Sequence, residues 1–214
     1  EAGLPDGVLN VLTGPGDVTG AAIVSHPGVG KIAFTGETTT GQAILRAAAS
    51  TIKKVSLELG GKSPNVVFAD ADIERFARES PYSVFDNAGQ DCCARSRILV
   101  ERSVHERVVD LFADATRKVV VGDPADPATE MGPLVTRRHM EAVLGRIEAG
   151  RAEGAHVVTG GERLTGAAYD EGTYVAPTVF DGATPGMSIV QEEIFGPVVA
   201  VIPFDDEDDA VRLA

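Results

Sequence analysis

Lys31-Ile32-Ala33-Phe34-Thr35-Gly36-Glu37-Thr38-Thr39-Thr40-Gly41-Gln42-Ala43-Ile44-Leu45-Arg46-Ala47-Ala48-Ala49 is the stretch whose reading decides the fold. Lys31 to Phe34 reads as a short β-rich run. A turn marked by Gly36 and Gly41 follows, then a helical pattern from Gln42 to Ala49, and a second β-rich run from Lys54 to Leu57. Working outward, Val8 to Leu12 and Asn65 to Phe68 read as further strands, with a helix around Val18 to Ser25. Alternation of this kind predicts an α/β protein with a parallel sheet. Beyond Asp70 the pattern continues with a helix from Ile73, a strand Arg97 to Val100, a helix Val104 to Val119 with Ser103 as its N-cap, and a helix Arg137 to Glu153. Turn-rich Gly122 to Pro127 and Gly160-Gly161-Glu162 separate elements, and strands return at Tyr174 to Thr178 and Val198 to Phe204. The acidic run Asp205 to Asp209 is expected to open a helix by favouring its positive end.

Composition narrows the function classes. The 214 residues suffice for one or two domains, and 43% hydrophobic with 24% charged residues is ordinary for a globular protein. A formal net charge of -13 argues against non-specific binding to nucleic acid or anionic membranes, because such a surface repels phosphate. No stretch approaches the roughly 20 apolar residues that span a bilayer. The default is a cytoplasmic protein. Its two cysteines, Cys92 and Cys93, are adjacent, so a bond between them would close a strained ring, and both read as free thiols. His26, His105, His139 and His156 show no metal-ligand spacing with them, and no metal site is expected.

Two segments carry chemistry: Leu57-Glu58-Leu59-Gly60-Gly61-Lys62-Ser63-Pro64 and Asn87-Ala88-Gly89-Gln90-Asp91-Cys92-Cys93-Ala94-Arg95-Ser96-Arg97. The first offers a carboxylate between apolar residues and beside glycines, where partial burial would raise its pKa towards a base's working range. The second offers a thiol, nucleophilic as the thiolate. Covalent catalysis with a base is the joint reading. Out of context, Cys92 reads more readily as a small buried hydrophobe and Glu58 as a surface residue at a strand end.

These segments, with Gly3-Leu4-Pro5-Asp6-Gly7-Val8-Leu9-Asn10-Val11-Leu12, Phe34 to Gly41 and Glu192-Glu193-Ile194-Phe195-Gly196-Pro197-Val198, stand in the order found in the NAD(P)-dependent aldehyde dehydrogenase superfamily, which the chain resembles along nearly its whole length. The resemblance implies part of a parallel Rossmann-type sheet, 1–61, from the end of a cofactor-binding domain, followed by most of an α/β catalytic domain, 62–214. It implies Cys92 as nucleophile and Glu58 as general base, which favours water over CoA as acyl acceptor. NAD or NADP is the implied cofactor. Gly36, Glu37 and Gly41 would lie near its pyrophosphate, Gly14 near the adenine side and Leu59 beside the cofactor. Glu193 would accept from the nicotinamide ribose, and Phe195 would pack beside the ring. Many relatives carry Ser where this chain has Glu37, which either sets a like charge against phosphate or turns to solvent. Asp91 is also less usual. It either attracts a cationic amino-aldehyde, or faces solvent or pairs with Arg95 or Arg97.

The implied partners are a small-molecule aldehyde and, in the full-length protein, copies of the same chain in a homo-oligomer. Both ends read as cut, with Glu1-Ala2-Gly3 resembling the end of a helix. The family's upstream oxyanion-binding Asn and adenosine-ribose segments are not in this sequence, so the piece alone is expected to be poorly active and, with open sheet edges, prone to aggregate. Two other readings keep the fold: a CoA-acylating enzyme, and a fragment with a structural or partner-binding role.

Overall fold

The computed structural model describes residues 3–214. It is an α/β structure whose strands, among the described residues, form two separate sheets. The chain divides into two compact units, Glu1–Gly60 and Gly61–Ala214. The reading of Glu1 and Ala2 as part of a helix end lies outside the described residues.

The first unit holds a π-helical turn Gly16–Gly20, α1 (Ala21–Ser25), β1 (Lys31–Gly36), α2 (Thr38–Ala49) and β2 (Lys54–Leu59). β1 and β2 pair in parallel from Lys31↔Lys54 to Gly36↔Leu59. The period of two sends Ile32 and Phe34 to one face with Val55 and Leu57, where they pack with Val24 and Ile44. Lys31, Ala33, Thr35, Lys54, Ser56 and Glu58 occupy the opposite, exposed face. α2 starts at Thr38, four residues before the run expected from Gln42, because the Gly41 N–H already donates to the Glu37 carbonyl at 3.0 Å. The strand expected over Val8 to Leu12 does not form. Val8, Leu9, Val11 and Leu12 are exposed and, among the described residues, have no strand beside them to complete a ladder, so β-propensity alone does not make a strand there.

The second unit is built on a five-stranded sheet of β3 (Pro64–Val67), β4 (Arg97–Glu101), β5 (His156–Thr159), β6 (Thr178–Asp181) and β7 (Val198–Phe204), in the order β3-β4-β7-β6-β5. All pairs are parallel except β5 with β6. Helices in this unit are α3 (Ile73–Glu79), α4 (Tyr82–Phe85), α5 (His105–Thr116), α6 (Arg137–Ala152), α7 (Ser188–Gln191) and α8 (Glu207–Leu213). Ile98, Leu99 and Val100 of β4 and Val199 and Val201 of β7 are fully buried, so consecutive residues lose water on both faces, as strands covered on both sides must. Each such side chain contributes about 1.5–3 kcal/mol of burial. α5 faces the core with Val108, Val109, Phe112 and Ala113, and α6 with Met140, Val143 and Ile147 at helical spacing. Side chains cap three helices: Asp72 accepts from Arg75 N, Thr136 from His139 N and Asp206 from Asp209 N.

Several sequence expectations shift here. Ser103 is not the cap of α5. It sits inside a 3-10 turn, Arg102–Val104, and its hydroxyl turns to Glu101. α5 ends at Thr116, where the buried hydroxyl donates back to the Phe112 carbonyl at 2.8 Å. The strand expected at Tyr174 to Thr178 begins only at Thr178, because Pro177 has no N–H for the ladder. β5 and the short α4 and α7 were not expected from the sequence. All three are four residues long, too short for a period to declare itself.

Thr178 is fully buried, donates to the Ala176 carbonyl at 2.7 Å and accepts from Gly161 N at 2.9 Å. Replacing it by Val keeps the shape and strands both backbone groups. Thr178→Val is expected to destabilise the second unit by about 1–3 kcal/mol, read from denaturant unfolding.

Candidate active site

Lys62 lies two residues before β3, Cys92 five before β4 and Glu193 five before β7. Those strands are neighbours and parallel, so their preceding loops meet at one end of the sheet, the amino end. Arg97, the first residue of β4, donates from Nε to the Lys62 carbonyl at 2.7 Å. A Cβ placed on Gly61 would stand 3.5 Å from the Cys92 carbonyl oxygen, an ordinary contact. The usual rule for open α/β sheets sets ligands at the carboxyl ends of strands; this cluster is at the opposite end.

The thiol-bearing loop is held in an unusual backbone. Asn87, Ala88 and Gly89 have φ of 50°, 56° and 69°, three successive left-handed residues. Asn and Gly accept this region readily, whereas Ala88 costs about 1–2 kcal/mol there. Ala88 is buried, which offsets part of that cost. The loop is laced by its own side chains: Asn87 Nδ2 donates to the Gln90 carbonyl and Gln90 Nε2 to the Asn87 carbonyl, both at 2.9 Å. Gln90 Oε1 also accepts from Val135 N at 2.8 Å, tying the loop to the segment before α6. A Cβ on Gly89 would collide with the backbone of Gly196 and Pro197, so only glycine lets the two loops touch.

Cys92 and Cys93 are exposed free thiols, with sulfurs 3.8 Å apart. Exposure sets aside the buried-hydrophobe reading of Cys92. Asp91 Oδ1 accepts from Cys93 N at 3.0 Å, and among the described residues Asp91 forms no ion pair with Arg95 or Arg97. The Cys92 thiol is pushed above its ordinary pKa, first by its hydrogen bond with Cys93 and the charge of that neighbour, then by desolvation and the Asp91 carboxylate. That direction disfavours the thiolate, and a nearby base would offset it.

Across the touching loops, Glu193 Oε1 is buried and has no hydrogen-bond partner among the described residues, and neither has Lys62 Nζ. A buried carboxylate oxygen without a donor suits a hydroxyl-bearing ligand, and a ribose diol is such a group. Burial pulls Lys62 from its ordinary 10.5 down to about 8, with Arg97 adding to the fall and Glu193 opposing it. Phe195 is 40% exposed and held at φ 55°. His139 Nε2 meets its carbonyl at 2.6 Å, and the two rings stand edge to face. An aromatic ring half in solvent and fixed by its backbone can flank a planar ligand.

The remaining candidates belong to the first unit. Glu58 is on the exposed face of β2, opposite Thr35, so the partial burial expected for it is not found: Leu57 and Leu59 take the packed face and alternation turns the residue between them outward. Gly41 is buried, and a Cβ there would lie 2.7 Å from Leu59 Cδ2, so Gly41 and Leu59 together set the approach of α2 to β2. Glu37 is the exposed N-cap residue of α2 and makes no capping bond, leaving the first N–H groups of that helix free towards an anion. Gly36 precedes it at the end of β1. Gly14 is exposed, and a Cβ on it would strike the Thr19 hydroxyl.

Sequence reasoning gave no role to Lys62, Gln90 or His139. Lys62 and Gln90 lie inside the quoted motifs, and a lysine two residues before a β-run was the available signal. His139 carries no signal in sequence, because its partner is a main-chain carbonyl 56 residues away.

Comparison with known proteins follows from this geometry. The model of the Aldehyde dehydrogenase family matches residues 1–214. An aldehyde dehydrogenase of Davidiella tassiana is 47% identical over the whole chain, which spans 42% of that relative's length. Betaine aldehyde dehydrogenase from Staphylococcus aureus, solved in complex with NAD+, superposes with a TM-score of 0.96 at 37% identity, over 99% of this chain and 42% of that one. HpcC from Thermus thermophilus gives 0.95 at 47% identity, over 98% of this chain and 41% of its own.

Gly89→Ala is expected to destabilise the second unit by more than the 1–2 kcal/mol of the left-handed backbone alone, since the new methyl meets main chain that cannot rotate away. Denaturant unfolding measures it, with Gly145→Ala as contrast: that glycine lies inside α6 with open space at its Cβ, so Ala there should stabilise by about 0.5–1 kcal/mol. Lys62 gives a pH-dependent test. Its folded pKa lies below the unfolded one, so the buried charge costs stability in full below about pH 8, and the cost fades as pH rises towards 10.5. Lys62→Met should therefore raise Tm more at about pH 7 than at about pH 10; an equal effect at both would remove the buried-charge account.

Proposed function

The chain belongs to the aldehyde dehydrogenase family, and from that premise we propose that this protein oxidises an aldehyde to a carboxylic acid with NAD or NADP and water. The observation that carries the reading is the meeting of an exposed thiol loop with a loop bearing a buried, unpartnered carboxylate oxygen, at the amino end of one sheet. The first supplies a nucleophile and the second a seat for a ribose hydroxyl.

In the proposed reaction Cys92 loses its thiol proton to a base, and its sulfur bonds to the aldehyde carbon as a thiohemiacetal. NAD(P), when bound, supplies the two-electron acceptor that converts this carbon to the thioester level. Glu58 then takes a proton from water, the new C–O bond forms and the C–S bond breaks, returning the thiol and releasing the acid. Glu193 would hold a ribose hydroxyl of the bound cofactor through its buried, unpartnered Oε1, and Phe195 would flank its ring and restrict the ring's orientation. Gly36, Glu37 and Gly41 border a helix N-terminus that would receive the pyrophosphate, with Leu59 beside it, and Gly14 would lie on the adenine side. The upward shift of the Cys92 thiol is in keeping with a carboxylate base assisting it. Glu58 also favours water over CoA as the acyl acceptor.

The test is NAD(P)H formation from a panel of aldehydes, in the longest reading frame that encodes this chain. Cys92→Ala should lower turnover by about four orders of magnitude or more. Glu58→Gln should slow it by about 100–10,000-fold, with acyl-enzyme accumulating. A folded protein that reduces no NAD(P) with any aldehyde would move the assignment to a structural or partner-binding role.

A further inference from the structure

Nothing in the sequence points to a metal, because no histidine stands at ligand spacing from the cysteines. The fold instead brings one ligand atom from each of Asp91, Cys92 and Cys93 within 4.8 Å of one another. We propose that these three residues form a binding site for a thiophilic divalent cation, Zn2+ or Cd2+, whose occupancy blocks Cys92 as a nucleophile.

Geometry supports a bridging ion over a bond between the sulfurs. Tetrahedral zinc with Zn–S of about 2.3 Å sets two thiolate ligands about 3.8 Å apart. The two sulfurs stand at 3.8 Å. A disulfide would need about 2.0 Å, and adjacent residues reach that only through a strained ring. The ligands are also pre-positioned. Ala94 N donates to the Asp91 carbonyl at 3.1 Å, Cys93 N to Asp91 Oδ1 at 3.0 Å, and Gln90 fixes the preceding turn. Three protein ligands leave one tetrahedral position for water, and the exposure of all three lets an ion enter without any opening of the fold. In forming the site each thiol exchanges its S–H bond for a sulfur–metal bond and releases its proton to solvent; nothing is oxidised or reduced. Two sulfurs and one carboxylate discriminate against Mg2+ and Ca2+, which take all-oxygen shells.

Binding is independent of the dehydrogenase reading, whereas inhibition rests on it, so the experiment separates them. The reduced, metal-free chain is titrated with Cd2+, following thiolate-to-cadmium charge-transfer absorption, and with Zn2+ in competition with a chromophoric chelator. Saturation at one ion per chain is expected. Cys93→Ser should lose at least about 100-fold in affinity and Asp91→Asn at least about 10-fold, since even outer-sphere partners account for 10–100-fold. Mg2+ in excess should not compete. The idea is overturned by the lack of a saturable band, or by Cys93→Ser and Asp91→Asn both binding as the unaltered chain does. Turnover gives the second readout: Zn2+ should inhibit the unaltered enzyme at concentrations at least about 100-fold below those that inhibit Cys93→Ser, each judged against its own metal-free rate. No turnover without metal in the longest reading frame that encodes this chain would refute the dehydrogenase reading alone, and the cadmium titration would still decide the site.

Discussion

The second unit depends on one close approach, the main chain of Gly89 against that of Gly196 and Pro197. Neither loop can move from it freely. Gly89 is the last of three left-handed residues that aim the thiol loop, and Pro197 passes directly into β7, the central strand of the sheet. The Pro197 carbonyl also accepts from Thr178 N, the first residue of β6, so the contact is anchored on the neighbouring strand as well. A side chain at Gly89 would part the loops, and a Cβ on Gly196 would press on Val143 of α6 at 2.7 Å. The strained turn persists because surrounding structure over-determines it: Ala88 is buried, Asn87 and Gln90 bond reciprocally, and Gln90 reaches Val135.

Electrostatics divide this end of the sheet into two settings. Around Cys92 the neighbours are a second thiol and a carboxylate, which disfavour the thiolate and favour a cation. Around Lys62 and Glu193 polar atoms are buried with no protein partner, a condition that costs about 1–3 kcal/mol per group unless a ligand supplies the missing bond. Stability is thereby given up where binding is proposed to occur. The two settings share the loops that precede β3, β4 and β7, so the same parallel topology produces both.

The sheet of the first unit is a different case. Both of its strands are edges, and one face carries Lys31, Lys54, Ser56 and Glu58 in the open. A two-stranded sheet is marginal by itself; here α1 and α2 cover one side through Val24, Ile44 and Ala47. Exposure of Glu58 follows from the period of the strand rather than from any feature of the glutamate.

By itself the sequence determined the elements whose periodicity is long or whose ends are chemically marked. β7 at Val198–Phe204, the start of α6 at Arg137, and the helix opened by the acidic run after Asp205 are all local, and local pattern is what a sequence displays. It likewise supplied the motif glycines, the adjacent thiols and the carboxylates. Tertiary structure alone decided that, among the described residues, Val8 to Leu12 has no strand beside it, that the Gly89 main chain meets that of Gly196 and Pro197, and that His139 meets the Phe195 carbonyl. Each of these depends on which atoms approach across many residues. Pattern along the chain carries no record of such distances; packing fixes them.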